Sequence, residues 1–291
     1  MSSTRPYKPL ISLLFDFDNT LSTDSISAIV ETMGLGRDDW TERFERPLGG
    51  GWDQILRRGH ALIEAGRAQG RPLSTELMRE AAGRLRLYDG VLDMPDHLRR
   101  IAREIHEPCA LEFVVLSSGF AEVIEATEIA RRFDRVYAST FHYAEDGPDG
   151  EVGDAVCVKR LIAHPEKALY LEAHAKGMDV NGANGPEHAG HAVAQEDMRV
   201  PFDQMIYGGD GDSDLQAFGF METHGGYAVA VHGGGGFHPG DKQTPSQRVE
   251  NAAPPDYSRG GELMRTLEHA VRACASTVAM RALGTSASGP S

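Results

Sequence analysis

The sequence predicts an α/β protein: a doubly wound parallel-sheet core carrying a smaller all-helical unit. Three observations point there. From about residue 89 onward, short apolar runs alternate with helical periodicity, as in a parallel sheet with helices on both faces. Residues 22–88 instead repeat their apolar positions at helical spacing and contain no convincing strand. The length, 291 residues, suits one large α/β domain with an insertion. The expected division is therefore a core of residues 1–21 and 89–291 and a helical insert of residues 22–88.

Taken in order, Leu10–Phe15 is a short apolar run of the kind that makes a buried parallel strand. It stops abruptly at Asp16-Phe17-Asp18-Asn19-Thr20. In the insert, Ile26, Ile29, Val30 and Met33 share one helical face, as do Ile55, Leu56, Leu62 and Ile63, and then Leu77, Met78, Ala81 and Leu85. Beyond Asp89-Gly90 the spacing predicts a helix over 95–106, a strand over 111–116, a helix over 121–132 and a short strand over 135–138. A helix over 165–176, a strand over 204–207, a helix after Asp212, a strand over Tyr227–Val231 and a last helix over 261–283 complete the core. Residues 181–199 and 233–247 are read as loops, and 284–291 as a disordered tail.

Composition narrows the function. Apolar residues make up 41% of the chain and charged residues 25%, as in a folded globular protein. Twenty-nine basic against 43 acidic residues leave a net charge of −14, which argues against nucleic acid or an anionic membrane as partner. No apolar run reaches the roughly 18 residues of a membrane span, and residues 1–8 lack a secretory h-region. Cys109, Cys157 and Cys274 are too few and too scattered for a disulfide scaffold or structural zinc, so a reducing, cytoplasmic setting is expected. The insert holds ten Arg, no Lys and ten acidic residues. Its guanidinium groups either offer planar contacts to an anionic substrate or pair with carboxylates on solvated helix faces.

In an open α/β sheet, ligands sit beyond the carboxyl ends of the strands. Three strand ends carry suitable chemistry. The first is Asp16 and Asp18: neighbouring carboxylates repel each other unless a cation or proton intervenes, and one can attack an electrophile while the other shuttles a proton. The second is Ser117-Ser118-Gly119, a hydroxyl and backbone cradle for phosphate; the same residues would also make an ordinary helix cap. The third is Gly209-Asp210-Gly-Asp-Ser-Asp214, whose carboxylates suit Mg²⁺. A calcium loop fails there, because Leu215 and Met221 stand where glycine and a bidentate glutamate are needed. A serine-hydrolase elbow and nucleotide phosphate loops are absent, and none of the 12 histidines shows metal-ligand spacing. Lys159, Lys167 and Lys176 are candidates for the cation that a phosphoryl group requires.

These residues, in this order, resemble the haloacid dehalogenase (HAD) superfamily of phosphohydrolases, whose cores are Rossmann-like. The matching stretches are Phe15–Leu21, Val115–Ser117, a lysine, and Gly209–Asp214; those around Glu166–Leu171 and Val200–Asp210 are similar to a phosphoserine-phosphatase-like subgroup and favour Lys167. The resemblance implies Asp16 as nucleophile forming an aspartyl-phosphate and Asp18 as general acid and base. It implies Asn19, Ser117, Ser118, Gly119 and Lys167 around the phosphoryl group. Mg²⁺ would be held by Asp16, the Asp18 carbonyl and Asp210, with Asp214 orienting the ion or its waters. Residues 22–88 would be a helical cap of the C1 type.

The expected activity is Mg²⁺-dependent hydrolysis of a small phosphorylated metabolite. The rivals are a phosphomutase acting on a sugar phosphate and a non-catalytic ligand-binding protein of the same fold. No self-association signal decides between monomer and homodimer.

Overall fold

The computed structural model describes residues 5–147, 150–181, 186–211, 213–232 and 249–286. Seven strands form one sheet in the order β4-β3-β2-β1-β5-β6-β7. They are β1 (Leu10–Phe15), β2 (Ala110–Phe120), β3 (Arg135–Gly147), β4 (Gly150–Arg160), β5 (Met205–Gly209), β6 (Tyr227–Val231) and β7 (Asn251–Ala253). All neighbours are parallel except β3 and β4. The chain leaves β1 for β2 on one side and later returns to β5 on the other, so the strand order reverses at β1. Ligands bind at such a switch point.

Alternation along β1 divides the core. Ile11, Leu13 and Phe15 face one apolar layer, built with α5 (Met94–Ile105) and α10 (Glu262–Ser286). Leu14 faces the other, which holds residues of α8 (Lys167–Lys176) and α9 (Leu215–His224). The expected doubly wound α/β core is thus present. The last helix continues to Ser286, past the expected end at 283, so residues 284–286 are helical rather than tail.

Between β1 and α5 lie α1 (Ser25–Thr32), α2 (Arg37–Trp40), α3 (Gln54–Ala68) and α4 (Thr75–Ala82), with no named strand. Short polar residues start three of them: Asp24, Asp53 and Ser74 accept backbone N–H groups of α1, α3 and α4. The insert's core joins that of the sheet in one apolar cluster.

The expected strand over 135–138 is instead the root of a long antiparallel arm, β3–β4. Phe141 and Tyr143 are buried on it at period two. Among the side chains of β4 that the structure describes, only Ala155 is buried, which is why no apolar run announces that strand. Helix α3 lies close against this arm: a Cβ on Gly59 would stand 2.4 Å from Val158 Cγ2 and 3.2 Å from Phe120 Cζ. The Ala155 N–H also donates to the Leu73 carbonyl at 2.7 Å, which covers part of the outer edge of β4. The expected helix over 121–132 is two short ones, α6 (Ala121–Ile124) and α7 (Ile129–Arg132).

Of the expected loop 181–199, residues 182–185 lie outside the described residues, and the rest includes two 3₁₀ turns, Pro186–His188 and Gln195–Asp197. The loop 233–247 lies outside them entirely. No helix among the described residues is long and apolar enough to cross a membrane.

Candidate active site

The three motifs converge at the carboxyl ends of β1, β2 and β5. Asp16 leaves β1 with its N–H bonded to the Gly208 carbonyl of β5 at 2.8 Å. Its carboxylate is 5% exposed, and Oδ1 lies 3.1 Å from Lys167 Nζ. Burial raises the Asp16 pKa to about 6; Lys167 opposes the rise and the Asp214 charge adds to it.

Asp18, two residues on, points elsewhere. Its carboxylate accepts the Ser25 N–H at 2.7 Å and the Ser25 hydroxyl at 2.9 Å, at the first turn of α1. Burial, followed by the charges of Asp24 and Asp16, raises its pKa to about 7. Asn19 turns the chain with φ 57°, a left-handed conformation that asparagine tolerates. Its side chain bonds Asp210.

Lys167 opens α8 with no exposed surface. Burial alone would lower its pKa, but Asp16 and Asp214 overcome that and raise it. Lys167 Nζ donates to Asp214 Oδ1 at 2.6 Å, and the Tyr207 hydroxyl donates to the same oxygen at 2.5 Å. Asp214 reaches this position because residue 209 is glycine: a Cβ there would stand 2.3 Å from Asp214 Oδ2. Burial and the charges of Asp16 and Asp214 raise the pKa of Asp210 to about 8.

At the end of β2, the Ser117 hydroxyl accepts the Gly119 N–H at 3.0 Å, so its own proton remains available to a ligand. Ser118 Oγ is buried and finds no partner among the described residues. Gly119 sits close to both groups: a Cβ there would lie 3.1 Å from Asp18 Oδ2 and 3.2 Å from Ser117 Oγ, so either would have to shift slightly.

A cavity of about 260 Å³ opens over these groups. Asp16, Asp18, Asn19, Asp210 and the Ser117–Gly119 cradle line one part; Ile26, Gln54, Ile55, Arg58 and His164 line the rest. A larger cavity, about 360 Å³, lies near the amino ends of β1 and β5, away from the acidic cluster. Its charged groups already pair internally: Asp203 takes Arg5 and Arg281, and Lys176 takes Glu172.

Asp16, Asp210 and Asp214 each offer a carboxylate oxygen within 4.8 Å of the others. Burial, with the mutual repulsion of these carboxylates adding to it, raises the pKa of two of the three, and hard oxygen donors of this kind fit Mg²⁺. Asp212 lies outside the described residues. Every proposed site residue therefore falls around one cavity or directly beneath it. Sequence reasoning missed Ser25, Tyr207 and His164. A hydroxyl at the start of the first insert helix and a tyrosine inside an apolar strand were the signals for the first two; His164 had none. Of the insert arginines, Arg43, Arg46 and Arg67 sit in exposed pairs with acids three or four residues away, whereas Arg58 reaches the cavity.

No protein-family profile matches the chain. An uncharacterized protein of Borreliella burgdorferi is 22% identical over 275 residues, covering 87% of this chain and 94% of that one. A HAD family hydrolase from Salmonella enterica serovar Typhi superposes with a TM-score of 0.53 at 14% identity, over 90% of this chain and 72% of the other. A probable phosphoserine phosphatase from Vibrio cholerae gives 0.51 at 14% identity, over 96% and 68%. A phosphoserine phosphatase in apo form gives 0.51 at 17% identity, over 89% and 98%. The chain thus has the fold of HAD-family hydrolases and phosphoserine phosphatases.

Proposed function

We propose that the protein is a Mg²⁺-dependent phosphomonoester phosphatase that works through an aspartyl-phosphate. The observation that carries this reading is the pairing of Asp16, buried against Lys167, with Asp18, held 2.7–2.9 Å from Ser25 donors at the same cavity. Asp16, Asp210, Asp214 and the Asp18 carbonyl would hold the ion. When bound, it neutralises charge on the phosphoryl oxygens and on Asp16.

The residues then divide the work. The Ser117 hydroxyl, the Ser118–Gly119 cradle, Asn19 and Lys167 receive the phosphoryl oxygens. An Asp16 oxygen forms a bond to phosphorus as the bond to the ester oxygen breaks, and Asp18 gives its proton to the departing alkoxide. With its pKa raised to about 7, Asp18 can hold that proton near neutrality. The resulting carboxylate takes a proton from water, which attacks phosphorus, releases inorganic phosphate and restores Asp16.

The helical insert acts as the cap that walls the leaving-group side with Ile26, Gln54, Ile55 and Arg58. A small phosphorylated metabolite of phosphoserine size, with an anionic group toward Arg58, suits that wall. Three unpaired cysteines, two of them buried, support a reducing cytoplasmic setting.

The test is phosphate release from a panel of phosphomonoesters, including phosphoserine and an aryl phosphate, with Mg²⁺ or with EDTA. Metal-dependent release from a few compounds is expected. No release from any compound, or release indifferent to EDTA, refutes the reading.

A further inference from the structure

Tyr207 lies within β5, fully buried, and no step above uses it. Its ring packs edge-on against Phe218, with centroids 5.9 Å apart. A phenylalanine would fill that space equally well. The hydroxyl is therefore the feature to explain, because a buried hydroxyl is costly unless bonded.

Its partner is Asp214 Oδ1, at 2.5 Å, and Lys167 Nζ reaches the same oxygen at 2.6 Å. Among the described residues, the other oxygen, Oδ2, receives only long approaches, 3.4 Å from the Gly211 N–H and 3.3 Å from the Ser213 hydroxyl. The strand period explains the arrangement. Tyr207 and Gly209 project to the same face of β5. The first supplies a donor to Oδ1, and the second, lacking a side chain, leaves the space that Oδ2 fills.

Resting on the metal assignment above, we infer that Tyr207 is a positioning residue for the divalent ion. Its hydroxyl and Lys167 together take up Oδ1 and fix the rotation of Asp214, so that Oδ2 is kept for the ion or its bound waters. Outer-sphere partners of this kind typically change metal affinity about 10–100-fold.

The experiment is calorimetric titration of MgCl₂ into the whole chain without substrate, for the wild type, Tyr207→Phe, Asp214→Asn and the double variant. Tyr207→Phe keeps the ring, and the expected result is a Mg²⁺ Kd weakened about 10–100-fold. In the Asp214→Asn background the same change should have no further effect, since Tyr207 acts through Asp214. An unchanged Kd, or an equal loss in both backgrounds, overturns the proposal.

Gly209→Ala is an independent probe should Tyr207→Phe not fold. Its Cβ meets Asp214 Oδ2, so wild-type Mg²⁺ affinity in that variant also overturns the proposal. A wild type that binds Mg²⁺ and shows the Tyr207 effect but releases no phosphate would refute the phosphatase reading and leave this inference standing. A wild type that binds no Mg²⁺ at millimolar concentration overturns the inference.

Discussion

Replacing Lys167 by methionine tests the electrostatics of the site without leaving a large void. The ammonium is fully buried and lies 3.1 Å from Asp16 Oδ1 and 2.6 Å from Asp214 Oδ1. At an effective dielectric of about 20, attractions at these distances are about 5 and about 6 kcal/mol. Desolvation of the three charges offsets much of that. Removing one partner of a buried pair nevertheless costs about 3–5 kcal/mol, because the remaining charge is left uncompensated. For a chain of this size each kcal/mol moves the melting temperature by about 2–4 °C. Lys167→Met should therefore melt about 6–20 °C lower in EDTA at pH 7.5. Two controls follow from the same physics. Lowering the pH to 5 should shrink the loss, since Asp16, with its pKa raised to about 6, can then be neutral. Mg²⁺ should recover part of it by taking the place of the ammonium among the carboxylates. Differential scanning calorimetry reads all three. A variant that melts within about 3 °C of the wild type in EDTA would show that Lys167 is not the counter-ion of this cluster.

Other expectations concern titration, chemistry and packing. Folded-state pKa values of about 6 for Asp16, about 7 for Asp18 and about 8 for Asp210 lie above the ordinary 3.8. The folded chain thus holds more protons than the unfolded one between those limits, and its stability in EDTA should fall as pH rises from 4 to 8. Melting curves that rise over that range would contradict the raised values. Asp16→Asn should retain its circular dichroism spectrum while turnover drops below about one thousandth of wild type; retained turnover excludes the covalent route. Arg58→Gln should raise KM about tenfold for esters with a carboxylate on the leaving group and leave an aryl phosphate nearly unchanged; equal effects on both would remove Arg58 from substrate recognition. Gly59→Val should destabilise by about 1–3 kcal/mol in urea, because its Cβ would sit 2.4 Å from Val158 Cγ2. An unchanged midpoint would mean that α3 and the arm are not in firm contact.

The sequence disclosed what local chemistry determines. Leu10–Phe15 announces itself because a strand buried on both faces must be apolar throughout, and the carboxylates after it mark the strand end. The β3–β4 arm was hidden for the opposite reason. Strand β4 is an edge strand with charged residues and, among its described side chains, a single buried alanine; it pairs with the strand that carries Phe141 and Tyr143 and contacts Leu73. Helix 121–132 illustrates another limit. Its composition is helical, yet the chain breaks between Ile124 and Ile129 where the Thr127 hydroxyl bonds the Ile124 carbonyl at 2.6 Å. The acidic residues of the site could be read from spacing, but Ser25, Tyr207 and Arg58 could not. Ser25 and Tyr207 lie only seven residues from Asp18 and Asp214, but which side chain turns toward which carboxylate is set by how the strand ends and helix starts pack, and residue spacing alone does not encode that.

The balance of charge explains why the motifs belong together. Four carboxyl groups, Asp16, Asp18, Asp210 and Asp214, gather around one cavity or beneath it, and Lys167 is the one ammonium bonded within this set among the described residues. Burial first, and neighbouring negative charge second, raise the pKa values of three of them, which favours protons in the site when no other cation is there. A phosphate ester would bring further negative charge into the same space. Binding it therefore requires either those protons or a divalent ion. Protons on Asp16 would remove its nucleophilicity, whereas an ion leaves Asp16 ionised and able to attack. The proton on Asp18 serves a different purpose. Ser25 holds that carboxylate apart from the Asp16–Lys167–Asp214 cluster, where the proposed mechanism needs a proton donor. Two aspartates separated by one residue thus sit in different fields: an ammonium opposes the effect of burial at Asp16, whereas the charges of Asp24 and Asp16 add to it at Asp18, more than the Ser25 donors offset.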